Sequence, residues 1–179
     1  MNFNERQPLP HGRGSVDHDL KASHHTLHLH RPILSGRPED GTQLSVPLCG
    51  DGFIQMCGEK IFKEATRAMV ETLAAACAQS GLTISDLSQV IPHQANQRIL
   101  DAVAKRAAVP VFSNIRHRGN TSSSTIPLAL SELLKTSPPQ SFGLASFGGG
   151  FTFAAAVGTT GPTDELHRHF TPSQQSGHG

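Results

Sequence analysis

The 179-residue sequence predicts a layered α/β domain in which a mixed β-sheet is flanked by helices. Three observations carry that expectation. Residues 58–79 hold one long helical stripe; a short apolar strand runs into Pro92 with a second helix behind it; and two apolar segments flank Gly148, Gly149 and Gly150 as a closing hairpin. Helices alternating with strands before a hairpin give a sheet with both parallel and antiparallel neighbours. The two ends read differently. Residues 1–24 and 161–179 hold Pro, Gly, His and charge without apolar periodicity, and are expected to be disordered tails around a folded domain at 25–160.

The first helix rests on Ile61, Phe62, Ala65, Met69, Leu73 and Ala76, which recur at helical spacing, with Gly81 as its stop. "LSQVI", Leu87 to Ile91, is the strand, because Pro92 pushes the residue before it toward an extended backbone. In the helix that follows, Ala95, Ile99, Val103 and Ala107 form the buried stripe, and Arg98, Asp101 and Lys105 share a wet face. "PVFSNI" reads as a further short strand. "GNTSSSTIPLALSELLK" supplies capping residues and then the apolar Ile126, Leu130 and Leu133 of a helix, in which Pro127 is tolerable only near the first turn. "SFGLASF" and "FTFAAAVG" are the strands of the hairpin.

Composition removes several function classes. With 15 basic against 14 acidic residues the chain carries a formal charge of +1, so no general field draws nucleic acid or an anionic membrane. No apolar run approaches the roughly 18 residues of a membrane span, and the polar N-terminus does not resemble a signal peptide, so a cytoplasmic location is expected. Cys49, Cys57 and Cys77 are odd in number and lack CxxC spacing, which argues for free thiols over a disulfide framework or a zinc site. "HHTLHLH" offers His24, His25, His28 and His30, and His28 and His30 would share one side of a strand. No carboxylate or cysteine joins them at ligand spacing, so no metal is assigned.

The chemistry lies in "VIPHQANQRI". His93 follows Pro92 at a strand-to-helix junction, where unpaired backbone N–H groups and the helix dipole disfavour added positive charge, so a neutral, donating imidazole is expected. The amide of Asn120, in the turn "RHRGNTSSS", is a second neutral donor at a helix start. Two such donors can hold a developing enolate or alkoxide. Spacing alone also fits a plainer pair, a histidine bonded to backbone at a helix N-terminus and an asparagine serving as turn or cap.

Three ordered motifs favour the first of these. "IPHQANQRILDAVAKR" (residues 91–106), "RGNTSSSTIPLAL" (118–130) and "FGGGFTFAAAV" (147–157) resemble the C-terminal half of β-ketoacyl-[acyl-carrier-protein] synthase III, of the thiolase superfamily. "IQMCGEKIFKEATRAM" (54–69) is similar to the preceding helix of that family, and "LHLH" (27–30) to the first strand of its C-terminal half. Plant-type polyketide synthases share the His and Asn, but "PHQAN" favours the synthase III branch. The resemblance implies a thiolase-like half and an acyltransferase of lipid metabolism, a condensing enzyme of fatty acid or polyketide biosynthesis. In that family, His93 and Asn120 would bind the thioester carbonyl of malonyl-carrier protein and hold the enolate left by decarboxylation. Asn96 would steady His93 and the loops around it. Phe147 would line the acyl pocket, and Gly58, Phe62 and Ala65 would lie near the pantetheine arm. Arg98 and Lys105 would meet the carrier protein, although an exposed Arg and Lys pair is ordinarily solvated surface. No cofactor is implied beyond the phosphopantetheine of acyl carrier protein or coenzyme A thioesters.

The departures from the family are as informative. Its nucleophilic cysteine belongs to the N-terminal half, which nothing in this sequence resembles, so condensation is expected to need a cysteine-bearing thiolase-like half, with a homo-oligomer as the other expected association. Cys77 in "AAACAQSG" looks superficially like that nucleophile, but its place on the first helix makes it an ordinary helix cysteine. "RAAVPVFSNI" and "KTSPPQSFGLASF" are shorter than the family pattern. The second expectation is a non-catalytic or degenerate remnant that still binds carrier protein.

Overall fold

The computed structural model describes residues 25–45 and 53–162. His24, Cys49, and the expected tails at 1–24 and beyond 162 lie outside the described residues. Gly161 and Pro162, expected in the C-terminal tail, instead end a strand.

Among the described residues the main sheet has five strands: β1 (His25–Leu29), β2 (Ile33–Gly36), β5 (Gln89–Pro92), β6 (Ser141–Gly148) and β7 (Thr152–Pro162). β7 is its axis. β6 pairs antiparallel with it through the hairpin read from the triple glycine, placing Phe147 opposite Phe153, and β5 lies parallel to β6. On the other edge of β7, β1 covers Gly158 to Pro162 and β2 covers Thr152 to Ala155, so two short strands share one long one. β3 (Leu44–Ser45) and β4 (Gln55–Met56) form a separate two-stranded pair. The expected mixed sheet flanked by helices is present.

Helix α1 (Gly58–Gln79) has the bounds its periodicity predicts, and Gly81, at φ +71°, turns the chain away. Its Ala65, Met69, Leu73 and Ala76 pack with Ile99 and Val103 of α2 (Gln97–Ala107) against Val90, Ala145, Ala155 and Val157 of the sheet. Met69, Leu73 and Val103 are wholly buried, each worth roughly 1.5–3 kcal/mol against exposure. Gly143 leaves room for this packing: a Cβ would lie 2.6 Å from a Leu73 methyl, which would have to shift. On the opposite face α4 (Thr125–Thr136) brings Ala129 and Leu133 onto Ile91 and Phe142, and the Phe142 ring covers Gly158 so closely that a Cβ there would sit 2.3 Å away. Pro127 occupies the third position of α4, inside the first turn where its missing N–H costs nothing. Just past β2, Arg37 binds Glu64 of α1, which Arg67 of the same helix also binds, and Arg37 lies 5.5 Å over the Phe153 ring.

One predicted strand is not formed. "PVFSNI" makes a single parallel bridge, Val111 to Val90, before the chain enters the short α3 (Ile115–Arg118). Pro110 has no N–H to donate, so the pairing reduces to Val90 N–H donating to Pro110 O and Phe112 N–H donating to Val90 O.

Candidate active site

β5 is buried on both faces, Val90 toward α1 and Ile91 toward α4, and the site begins where it ends. His93 extends the ladder by one residue, its N–H donating to Ala145 O at 2.8 Å. Helix α2 begins only at Gln97, so His93 lies three residues ahead of the N-cap, Asn96, and not at the helix start. The expected neutrality stands on a different cause. Burial of the half-buried imidazole holds His93 below the ordinary histidine range, which keeps it uncharged at pH 7. Its Nδ1 is 2.6 Å from the Thr125 hydroxyl, and its ring meets Phe147 edge to face at 5.7 Å between centroids.

Asn120 lies in the exposed run from Arg116 to Ser124, after Gly119, whose φ is +68°. It does not start a helix: a 3-10 turn, Ser122–Ser124, separates it from α4. Its Oδ1 accepts from Ser122 N–H at 2.9 Å, a local Asx turn that leaves Nδ2 as the donating end. Three contacts join the two residues: Asn120 to Ser122, Ser122 O to the Thr125 hydroxyl at 3.0 Å, and Thr125 to His93.

The other expected residues divide. Phe147 stands beside His93. Asn96 is exposed, and its Oδ1 caps α2 by accepting from Ile99 N–H at 3.0 Å; the bonds that steady the motif come from its neighbour Gln94. Gln94 is fully buried. Its Nε2 donates to Pro92 O and Phe112 O, and its Oε1 accepts from Asn114 N–H at 3.1 Å, tying the end of β5 to the next loop. Sequence reasoning missed Gln94, Asn114 and Thr125; only Gln94 had a signal, as a polar residue directly behind a largely buried strand. Gly58 is exposed at the first position of α1, and Phe62 is half-buried beneath the Arg98 guanidinium, 5.4 Å from its ring. Ala65 faces the core at 2% exposure. Arg98 and Lys105 are exposed on one face of α2. Cys77 is wholly buried, and burial, aided by the Asp86 charge, pushes its thiol up, as befits an inert helix cysteine. Cys57, exposed, precedes α1.

Among the described residues no helix is long and apolar enough to cross a membrane. Residues 77–159 match the model of the 3-oxoacyl-[acyl-carrier-protein] synthase III C-terminal family. The chain is 44% identical over 117 residues to β-ketoacyl-[acyl-carrier-protein] synthase III of Nitratidesulfovibrio vulgaris, covering 62% of this chain and 36% of that protein. It is 36% identical over 136 residues to the Clostridium perfringens synthase III, covering 70% and 40%. Among solved structures, synthase III of Thermus thermophilus superposes with a TM-score of 0.67 at 34% identity, over 75% of this chain and 47% of that one. The chain therefore spans between a third and two-fifths of the length of these curated relatives. Residues 77–159 are thus similar to the C-terminal domain of the 3-oxoacyl-[acyl-carrier-protein] synthase III family, on a thiolase-like fold.

Proposed function

We propose that this chain supplies the His/Asn oxyanion hole of a condensing enzyme of fatty acid or polyketide synthesis. His93 and Asn120 would hold the thioester oxygen of malonyl-carrier protein as it loses carbon dioxide, and stabilise the enolate that attacks an acyl-cysteine. The single observation that carries this reading is the chain of contacts from a neutral, half-buried His93 through Thr125 and Ser122 to Asn120, at the end of a parallel strand. Preorganised neutral donors are what a developing oxyanion needs, because they gain strength as charge forms and cost nothing to reorient. Phe147, edge-on to His93, is the wall against which an acyl chain or pantetheine would lie.

The acyl-cysteine belongs to a thiolase-like half carried elsewhere, on another segment of a longer chain or on a second polypeptide, since Cys77 is buried and its thiol disfavours ionisation. Leu34, Phe53 and Ile54, 76%, 71% and 63% exposed, are apolar surface available to such an association or to a second copy. Arg98 and Lys105 are the cations we assign to carrier-protein docking, by attraction to an acidic partner. The localisation that fits this role is cytoplasmic.

The test is release of carbon dioxide from malonyl-carrier protein, by the chain alone and after addition of a cysteine-bearing half. His93→Ala and Asn120→Ala should each lose on the order of a hundredfold, the usual cost of one oxyanion donor, while Cys77→Ala is neutral. Turnover that survives loss of His93 overturns the site. No turnover under either condition, with carrier protein still bound, overturns the enzymatic reading in favour of a carrier-binding remnant.

A further inference from the structure

We propose that Thr125 is a positioning residue that fixes the tautomer of His93: its hydroxyl donates to Nδ1, so the ring proton sits on Nε2 and that nitrogen becomes the donor offered to substrate. The inference rests on the reading of His93 as an oxyanion donor and adds the group that makes it one. A neutral imidazole has one N–H and one lone pair, and the partner of one nitrogen decides the state of the other. Without such a partner, a fraction of the molecules would present a bare lone pair to a developing negative charge.

Thr125 has one hydroxyl proton and two acceptors within reach, His93 Nδ1 at 2.6 Å and Ser122 O at 3.0 Å. Ser122 O does not depend on the hydroxyl for a donor, because it also accepts the backbone N–H of Thr125. His93 Nδ1 is the nearer acceptor. The contact is also shorter than the usual 2.7–3.2 Å span of an N–H donor to oxygen, whereas O–H donors commonly approach this closely. Both distances therefore send the proton from oxygen to nitrogen. Thr125 is held for the purpose: it is 2% exposed, it opens α4 with helical backbone angles, and its β-branch restricts χ1. The opposite arrangement, Nδ1–H donating to Thr125 while Thr125 donates to Ser122 O, would leave Nε2 as an acceptor and turn His93 into a base.

Long-range proton–nitrogen NMR of the 15N-labelled full chain, well above the ordinary histidine titration range, reads the tautomer directly. His93 is identified among the eleven histidines by its loss in His93→Gln. The expected result is the Nε2–H pattern in wild type and in Thr125→Ser, and an averaged pattern of both tautomers in Thr125→Val. In the decarboxylation assay Thr125→Val should lower kcat on the order of tenfold at unchanged KM, with Thr125→Ser restoring it. An Nδ1–H pattern in wild type overturns the proposal whatever the assay gives, as does an unchanged Nε2–H pattern in Thr125→Val. If Thr125→Val does not fold, the wild-type pattern still decides. A wild-type Nε2–H pattern that Thr125→Val averages, with no decarboxylation in any variant, supports the tautomer and removes only the enzymatic reading.

Discussion

The two donors of the proposed site are built to different standards. His93 grows out of a buried strand, with its main chain in the ladder to Ala145, its neighbour Gln94 wholly enclosed, and its side chain on a buried hydroxyl. Asn120 lies within nine consecutive exposed residues, held by one local bond from Ser122. Ser122 even adopts a left-handed φ of +56°, a strain of order 1 kcal/mol for a residue with a Cβ. The fold of this chain thus sets the histidine by itself and leaves the asparagine to local turn chemistry and to whatever covers it.

The comparison breaks most visibly at Gln94. Gln94→Leu keeps the volume but leaves Pro92 O and Phe112 O without the side-chain donor and Asn114 N–H without an acceptor. Each buried group left unpaired costs about 1–3 kcal/mol, so urea denaturation should show a loss of about 3 kcal/mol. A smaller loss than from an exposed substitution would mean that the enclosed arm is not what holds β5 to its loop.

The acid limb of stability should report the same enclosure. Burial lowers the folded-state pKa of His93, and lowers that of His30 with help from His28. The unfolded chain then binds more protons in the window between each depressed value and the ordinary value near 6.5. Stability is accordingly full above that window and falls as pH drops through it. His93→Gln should flatten the fall measured by urea midpoints from pH 7.5 to about 5, and an unchanged slope would mean that the imidazole is not desolvated. Smallest of all is Asn120→Ala, expected within about 0.5 kcal/mol of wild type in the same denaturation, because it removes an exposed local bond.

Much of this was legible in the chain itself, for physical reasons that differ by element. The bounds of α1 follow from its sequence because 22 residues of one helical period leave little choice of face. The hairpin was legible because glycines and alternating apolar residues are local signals, and its length beyond Gly158 was not, because that depends on pairing with β1. "PVFSNI" misled for the same reason: its β-branched character is real, but a strand needs a partner along its length, and only Val111 finds one. At the proposed site, His93 and Asn120 were legible through the motifs that carry the resemblance, since their spacing alone also fits a plainer pair. Gln94 and Thr125 were not, since a glutamine and a threonine are ordinarily exposed, and their roles exist only through partners 18 to 32 residues away.

Amide hydrogen exchange on the intact chain tests the contrast most directly. The amides of Val90, His93 and Asn114, bonded to Pro110 O, Ala145 O and Gln94 Oε1, should be protected near the limit set by global unfolding. Those of Asn120 and Ser123, in the exposed run, should exchange at nearly the rate of an unfolded chain. Comparable protection in both groups would contradict the account, because it would show that the asparagine arm is held by the fold as firmly as the histidine arm.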